Sequence, residues 1–232
     1  MRIGGLQKQS LIDFPGKIAC VVFLSGCNFS CPYCHNPQLA AGRVDDDAFA
    51  DLSRFLRFLD ERKLFLEGVV ISGGEPTLND ELPTLCAAIK DKGYCVKLDT
   101  NGSRPDMVRH LLEAALVDYI AMDIKTDPQR YPESAGLGTT AGVILESIRW
   151  VMDAAPAYEF RTTCVRPYVS DIIVADIARS IQGAARYVLQ RFQRRTLLSP
   201  EFFQNIDPTV SESEIDRFRS LAAPWVQACI VR

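Results

Sequence analysis

Three cysteines crowd into one nine-residue stretch, Cys27-Asn-Phe-Ser-Cys31-Pro-Tyr-Cys34-His35. Thiols this close suit metal binding or redox chemistry, and four readings fit them. Cys31-Pro-Tyr-Cys34 alone is a Cys-x-x-Cys dithiol, one of whose thiols a helix N-terminus would acidify. Cys31 to His35 also matches Cys-x-x-Cys-His, which attaches a c-type haem. That reading needs export, and Met1 to Gln9 lacks the long apolar segment of a secretory signal. Cys27, Cys31, Cys34 and His35 could together bind zinc, although His35 directly follows Cys34 and gives a tetrahedral ion an awkward bite. Finally, three thiolates spaced C-x3-C-x2-C could hold three irons of a cubane cluster. The fourth iron would then lack a protein ligand, a position as useful as the open site of a catalytic metal.

Other residues could do chemistry beside them. In Ser72-Gly73-Gly74-Glu75-Pro76, Gly73 and Gly74 lack Cβ and let a ligand approach the backbone. Glu75 could accept from an ammonium group. Asp99-Thr100-Asn101-Gly102 offers acceptors for a ribose or a small cation, and equally reads as a polar turn closed by Asn-Gly. Asp123-Ile124-Lys125 puts two charges on one side of a strand end, because side chains alternate with period two. A surface ion pair is the plainer reading of that couple. Arg161, Thr163 and Gln190 read as rim residues. The basic run Arg186, Arg191, Arg194, Arg195 reads as a solvated face or a dock for an acidic partner. The five remaining cysteines, Cys20, Cys86, Cys95, Cys164 and Cys229, are scattered as small buried apolar residues usually are.

The elements that must position these groups alternate. Apolar runs predict strands over Ile18–Leu24, Gly68–Ile71, Cys95–Leu98, Tyr119–Met122, Glu159–Thr163, Tyr187–Gln190 and, in the tail, Val226–Val231. Amphipathic stretches predict helices over Asp45–Glu61, Asp80–Lys92, Pro105–Ala115, Thr140–Ala154, Asp171–Ile181 and Glu212–Leu221. The first of these carries Phe49, Leu52, Phe55, Leu56 and Leu59 on one face, and Gly93 is a C-cap for the second. Strand-helix units in series imply parallel strands joined by right-handed crossovers. A partial (β/α)6 TIM-like barrel and an open doubly wound sheet both satisfy the pattern. In either, function gathers at the C-terminal ends of strands, where the cysteine trio, Ser72 to Pro76, Asp99 to Gly102, Asp123 to Lys125, Arg161, Thr163 and Gln190 fall. Without repeats or Pro/Gly-rich linkers, residues 1–232 read as one domain.

The bulk composition fits this picture. Of 232 residues, 47% are apolar and 24% charged, enough apolar content for a core. A net charge of -3 gives no electrostatic footprint for nucleic acid, and no apolar run approaches the length of a membrane helix. The expectation is a cytoplasmic protein with reduced cysteines and neither nucleic acid nor membrane as partner.

With Tyr33 as the aromatic residue before the third cysteine, and Gly-Gly-Glu-Pro following the second strand, the chain resembles the radical S-adenosylmethionine (SAM) superfamily. The match in order covers nearly the whole chain and departs mostly after Arg191. The resemblance implies a 4Fe-4S cluster on Cys27, Cys31 and Cys34, whose vacant iron takes the amino nitrogen and carboxylate of SAM. An electron from flavodoxin or ferredoxin then breaks the sulfur–C5′ bond and leaves a 5′-deoxyadenosyl radical. Tyr33, Cys34 and His35 would line the adenine pocket, while Gly73, Gly74 and Glu75 would meet the methionine ammonium. Asp99 and Asn101 would serve the ribose. Pyruvate formate-lyase activases carry Asp-x-Lys where Asp123 and Lys125 stand, so Lys125 would pair with the SAM carboxylate. Arg161 and Gln190 complete the implied cofactor set.

Leu11-Ile-Asp-Phe-Pro-Gly-Lys17, Phe23-Leu-Ser-Gly-Cys27 and Cys34-His-Asn-Pro37 further resemble the activating proteins of anaerobic ribonucleoside-triphosphate reductases. That implies a glycyl radical enzyme as protein substrate. Two alternatives stay open: a radical SAM enzyme acting on a small molecule, like 7-carboxy-7-deazaguanine synthase, and a dithiol or zinc redox protein.

Overall fold

A computed structural model describes residues 2–43, 52–134, 136–194 and 196–232. The start of the helix expected at Asp45, with Phe49, and Arg195 of the basic run lie outside the described residues. Eight strands form one sheet in strict sequence order: β1 (Ile3–Ser10), β2 (Ala19–Leu24), β3 (Gly68–Gly73), β4 (Cys95–Thr100), β5 (Tyr119–Asp123), β6 (Tyr158–Cys164), β7 (Tyr187–Arg191) and β8 (Cys229–Val231). β1 pairs antiparallel with β2, and all pairs from β2 to β8 are parallel. The sheet is the wall of a partial barrel with free edges at β1 and β8.

Helices connect the parallel strands: α1 (Pro37–Ala40), α2 (Leu52–Glu61), α3 (Leu82–Asp91), α4 (Pro105–Glu113), α5 (Ala141–Ala154), α6 (Asp171–Ser180) and α7 (Glu212–Ala222). Side-chain caps start several of them. Thr140 and Ser170 accept from Val143 and Ile173 N–H, and Ser211 with Glu214 forms a capping box. The outward strand faces (Val22, Ile71, Leu98, Ile120, Phe160, Leu189) pack with helix residues such as Leu85, Leu111, Ile148 and Ile177 into the main core. A smaller inner core, Phe14, Ala19, Val21, Val70, Tyr119 and Ala121, fills the barrel toward the strand N-termini.

β1 was not signalled by the sequence pattern. Gly4, Gly5 and the exposed Gln7, Lys8 and Gln9 break the apolar alternation, and pairing with β2 holds the strand in place. The tail strand is shorter than expected, beginning at Cys229 after a 3-10 turn over Ala223–Trp225.

Candidate functional site

Three loops meet at the C-terminal mouth of the barrel, and glycine geometry sets how closely. Gly73 has φ +124°, and a Cβ there would stand 2.1 Å from the Leu24 carbonyl oxygen. A Cβ on Gly74 would stand 2.1 Å from the Gly26 carbonyl oxygen. Gly74 N–H donates to Leu24 O (2.9 Å) and Glu75 N–H to Gly26 O (2.8 Å). The two glycines therefore press the β3 loop against the loop that carries Cys27. The cysteine loop is tied further by Ser30 N–H to Gly136 O (2.8 Å) and Cys34 N–H to Cys31 O (2.9 Å).

Glu75 is buried and spent within the protein. It accepts from Thr77 N–H (3.1 Å), Thr77 Oγ1 (2.5 Å), Thr100 Oγ1 (2.7 Å) and Asn101 N–H (2.6 Å). Burial, only partly offset by these donors, lifts its carboxyl above the usual range. Its carboxylate thus clasps the ends of β3 and β4. Asn101 is similarly committed: its amide donates to Asn28 Oδ1 (3.1 Å), and its oxygen accepts from Ser103 N–H (2.9 Å). Asn28 in turn donates to Ser103 Oγ (2.9 Å), linking the cysteine loop to the β4 loop.

Strand alternation aims Lys97, Asp99, Asp123, Lys125 and Arg161 into the barrel. Arg161 bridges two carboxylates, with Nε 2.7 Å from Asp123 Oδ1 and Nη1 3.3 Å from Asp99 Oδ2. Lys125 Nζ sits 2.8 Å from Asp123 Oδ2, and Lys97 Nζ contacts Asp99 Oδ1. Asp123 and Lys125 are therefore a largely enclosed pair, 25% and 17% exposed, and not the surface ion pair of the plainer reading. Burial opposes the charge of both aspartates, yet Arg161 together with Lys125 for Asp123, and with Lys97 for Asp99, holds both carboxyls below the ordinary range. The same pairing outweighs burial at Lys125 and keeps it protonated.

Cys27, Cys31, Tyr33, Cys34, His35, Gly73, Gly74, Glu75, Asp99, Asn101, Asp123, Lys125 and Arg161 all line one cavity. Gln190 lines an adjoining hollow, which shares His35, Asn36 and Thr163 with the rim of the first. Sequence reasoning missed Lys97, Asn28 and Ser103. Period-two alternation from Asp99 could have flagged Lys97, since both sit on the same face of β4.

The three thiols are free. Burial pushes the Cys31 thiol up to about 12 and raises that of Cys27, with Lys125 pulling each back. Thiolates there need a metal to displace the protons. Among the described residues, no three Cys, His, Asp or Glu side chains converge on a single ion. Three free thiols lining one cavity form a donor set that fits three irons of a cubane. By contrast Cys20, Cys86 and Cys164 are buried in the main core, each with its thiol pushed up to about 12 by burial, and are chemically inert packing.

The family model of the radical SAM superfamily matches residues 21–179. The chain belongs to the radical SAM superfamily. A protein of Methanocaldococcus jannaschii named as a glycyl-radical enzyme activating enzyme is 30% identical over 99% of this chain and 95% of its own length. The pyruvate formate-lyase-activating enzyme of Clostridium pasteurianum is 34% identical over 59% of this chain and 58% of its own. These relatives set the chain in the activating group of the superfamily. Streptococcus suis SuiB shares the fold, with a TM-score of 0.69 at 12% identity, covering 91% of this chain and 48% of that one. The superfamily's cofactors are a 4Fe-4S cluster and SAM, and this radical SAM chain has a cavity whose donor set fits both. Among the described residues, no helix is long and apolar enough to cross a membrane.

Proposed function

We propose that this chain activates a glycyl radical enzyme, and that the partner is an anaerobic ribonucleoside-triphosphate reductase. The observation that carries the reading is one cavity holding three free thiols, a largely enclosed cation beside a carboxylate, and a glycine-pinned loop. The cluster and SAM, when bound, supply reductive cleavage and the means to abstract hydrogen from a glycine Cα.

The chain's own residues bind and orient. Cys27, Cys31 and Cys34 would hold the cluster through three of its irons and leave the fourth for SAM. Lys125, fixed by Asp123 and protonated, meets the methionine carboxylate as a charge-assisted donor. With the Glu75 carboxylate spent on Thr77, Thr100 and Asn101, backbone carbonyls of the β3 loop are left to accept from the methionine ammonium. Tyr33, Cys34 and His35 border the adenine, Asp99 and Asn101 the ribose side, and Arg161 fixes both aspartates. Gln190 and the adjoining hollow stand where a loop of the partner would enter. The reading includes a cytoplasmic setting, which would keep the thiols reduced, and flavodoxin or ferredoxin as the electron donor.

The experiment is electron paramagnetic resonance on reduced, cluster-loaded protein mixed with SAM and the reductase. A doublet that collapses when the reductase glycine is deuterated at Cα is expected. SAM cleavage without a partner radical would overturn the activase reading and favour a small-molecule substrate.

A further inference from the structure

Three carboxyl groups line the cofactor cavity. Glu75 is taken up by Thr77, Thr100 and Asn101, and all four oxygens of the other two, Asp99 and Asp123, already take a cation from the protein. Asp123 receives Arg161 Nε and Lys125 Nζ at 2.7 and 2.8 Å. Asp99 receives Arg161 Nη1 on one oxygen, at 3.3 Å with Ser72 Oγ also at 3.3 Å, and Lys97 Nζ on the other. Lys97 does not line the cavity. It is 1% exposed, and its ammonium stands 5.9 Å from the centre of the Tyr119 ring, between the inner apolar core and Asp99.

A lysine held this deep is expensive unless paired, and among the described residues its ion-pair partner is Asp99, a carboxylate at the site. The five groups alternate in sign as Lys97, Asp99, Arg161, Asp123, Lys125. Within this ion-paired set three cations meet two carboxylates, a surplus of one positive charge in the cluster, while Glu75 on the same cavity is held by Thr77, Thr100 and Asn101. Removing Lys97 abolishes that surplus and leaves Arg161 and Lys125 to serve both aspartates. Lys125 is then drawn wholly to Asp123 and is a poorer donor to an incoming carboxylate. A carboxylate pair short of a counter-ion is also what a dissolved alkali or ammonium ion would fill.

We propose that Lys97 is a positioning residue: its ammonium is the built-in counter-ion of Asp99 and makes SAM binding independent of dissolved monovalent cations. The inference rests on the reading that this cavity binds SAM.

The test is calorimetry of SAM binding to anaerobically loaded protein, at fixed ionic strength, in sodium, potassium, ammonium or tetramethylammonium chloride. The wild-type affinity should be the same in all four. Lys97→Ala should bind SAM roughly ten-fold more weakly in tetramethylammonium, the worth of a charge-assisted contact, and recover in ammonium or potassium. Lys97→Met, which refills the space with an apolar chain, should be weak in every salt. A merely structural lysine would not make affinity follow the identity of the cation. Wild-type affinity that varies with the cation, or a Lys97→Ala protein that matches wild type in tetramethylammonium, would overturn the proposal. Should Lys97→Ala not fold, unchanged affinity in Lys97→Met would overturn it equally. Wild-type protein that takes up iron yet binds no SAM in any salt would instead overturn the reading of the cavity itself.

Discussion

Two charge clusters share the barrel interior, each with one fully buried member, Lys97 or Glu159, and β6 contributes to both from one face. Arg161 joins the upper cluster at the mouth, between Asp99 and Asp123. Two residues earlier, Glu159 centres the lower one. Its carboxylate takes Arg232 in a bidentate pair at 2.8 and 2.9 Å, Tyr119 Oη at 3.1 Å, and Arg186 at 3.9 Å. Each cluster has more cations than carboxylates, but the surplus points in opposite directions. Arg186 and Arg232 are 39% and 38% exposed, so the lower surplus is spent on solvent. Lys125, at 17%, keeps the upper surplus beside the cavity. The same physics of burying a carboxylate thus gives a seal at one level and a receptor for an anion at the other.

The largest effect expected from separating the two falls on stability. Arg232→Met removes the bidentate partner and leaves Glu159 enclosed with Tyr119 and the distant Arg186. Stripping one member from a buried pair costs about 3 kcal/mol, at the low end of the range because water can follow the lost arginine. Thermal or urea unfolding should show that loss, while SAM affinity in the loaded protein stays as in wild type. A change in SAM affinity with no loss of stability would mean that the two clusters are coupled through β6.

Lys125→Ala should do the reverse. Asp123 keeps Arg161 at 2.7 Å, so the carboxylate is not orphaned and stability should change little. SAM affinity should fall roughly ten-fold, the worth of one charge-assisted hydrogen bond. Calorimetry at unchanged iron content checks it, and unaltered affinity would remove Lys125 from the receptor and leave it a partner of Asp123 alone.

This contrast also marks how far the sequence could be read. The upper groups lie at strand ends, and strand ends are visible as the limits of apolar runs, so Asp99, Asp123, Lys125 and Arg161 were legible as one rim. The cysteines were legible because their spacing is local. What stayed hidden was pairing. Glu159 and Arg232 stand 73 residues apart, and no periodicity joins them. Glu75 looked free to meet a ligand because its donors on Thr100 and Asn101 come from another strand. Gly73 and Gly74 read as an approach for a ligand, and both line the cavity; what the sequence did not show is that the backbone of Leu24 and Gly26 also presses against them. Alternation tells which face a side chain takes and is silent on what waits there. β1 escaped for the converse reason, since its polar and glycine residues are held by the neighbouring strand.

The smallest expected effect compares two tyrosines, one per level. Tyr119 in the lower cluster donates its hydroxyl to Glu159. Tyr33 lies between two of the site's cysteines and is 4% exposed; among the described residues its hydroxyl is the one buried side-chain polar atom without a hydrogen-bond partner. Its ring packs edge-on against Tyr168, with centroids 4.9 Å apart, and that contact does not involve the hydroxyl. Removing a hydroxyl that has a partner forfeits the bond, about 1 kcal/mol, whereas removing one that has none relieves its desolvation. Tyr119→Phe should therefore destabilise by about 1 kcal/mol, and Tyr33→Phe should be neutral or stabilise by up to about 1 kcal/mol, the void left by one oxygen offsetting part of the gain. Chemical unfolding of the metal-free protein measures both. A loss in Tyr33→Phe equal to that in Tyr119→Phe would show that its hydroxyl does find an acceptor. The upper level would then be as fully paired as the lower, and the two would differ only in where their surplus charge points.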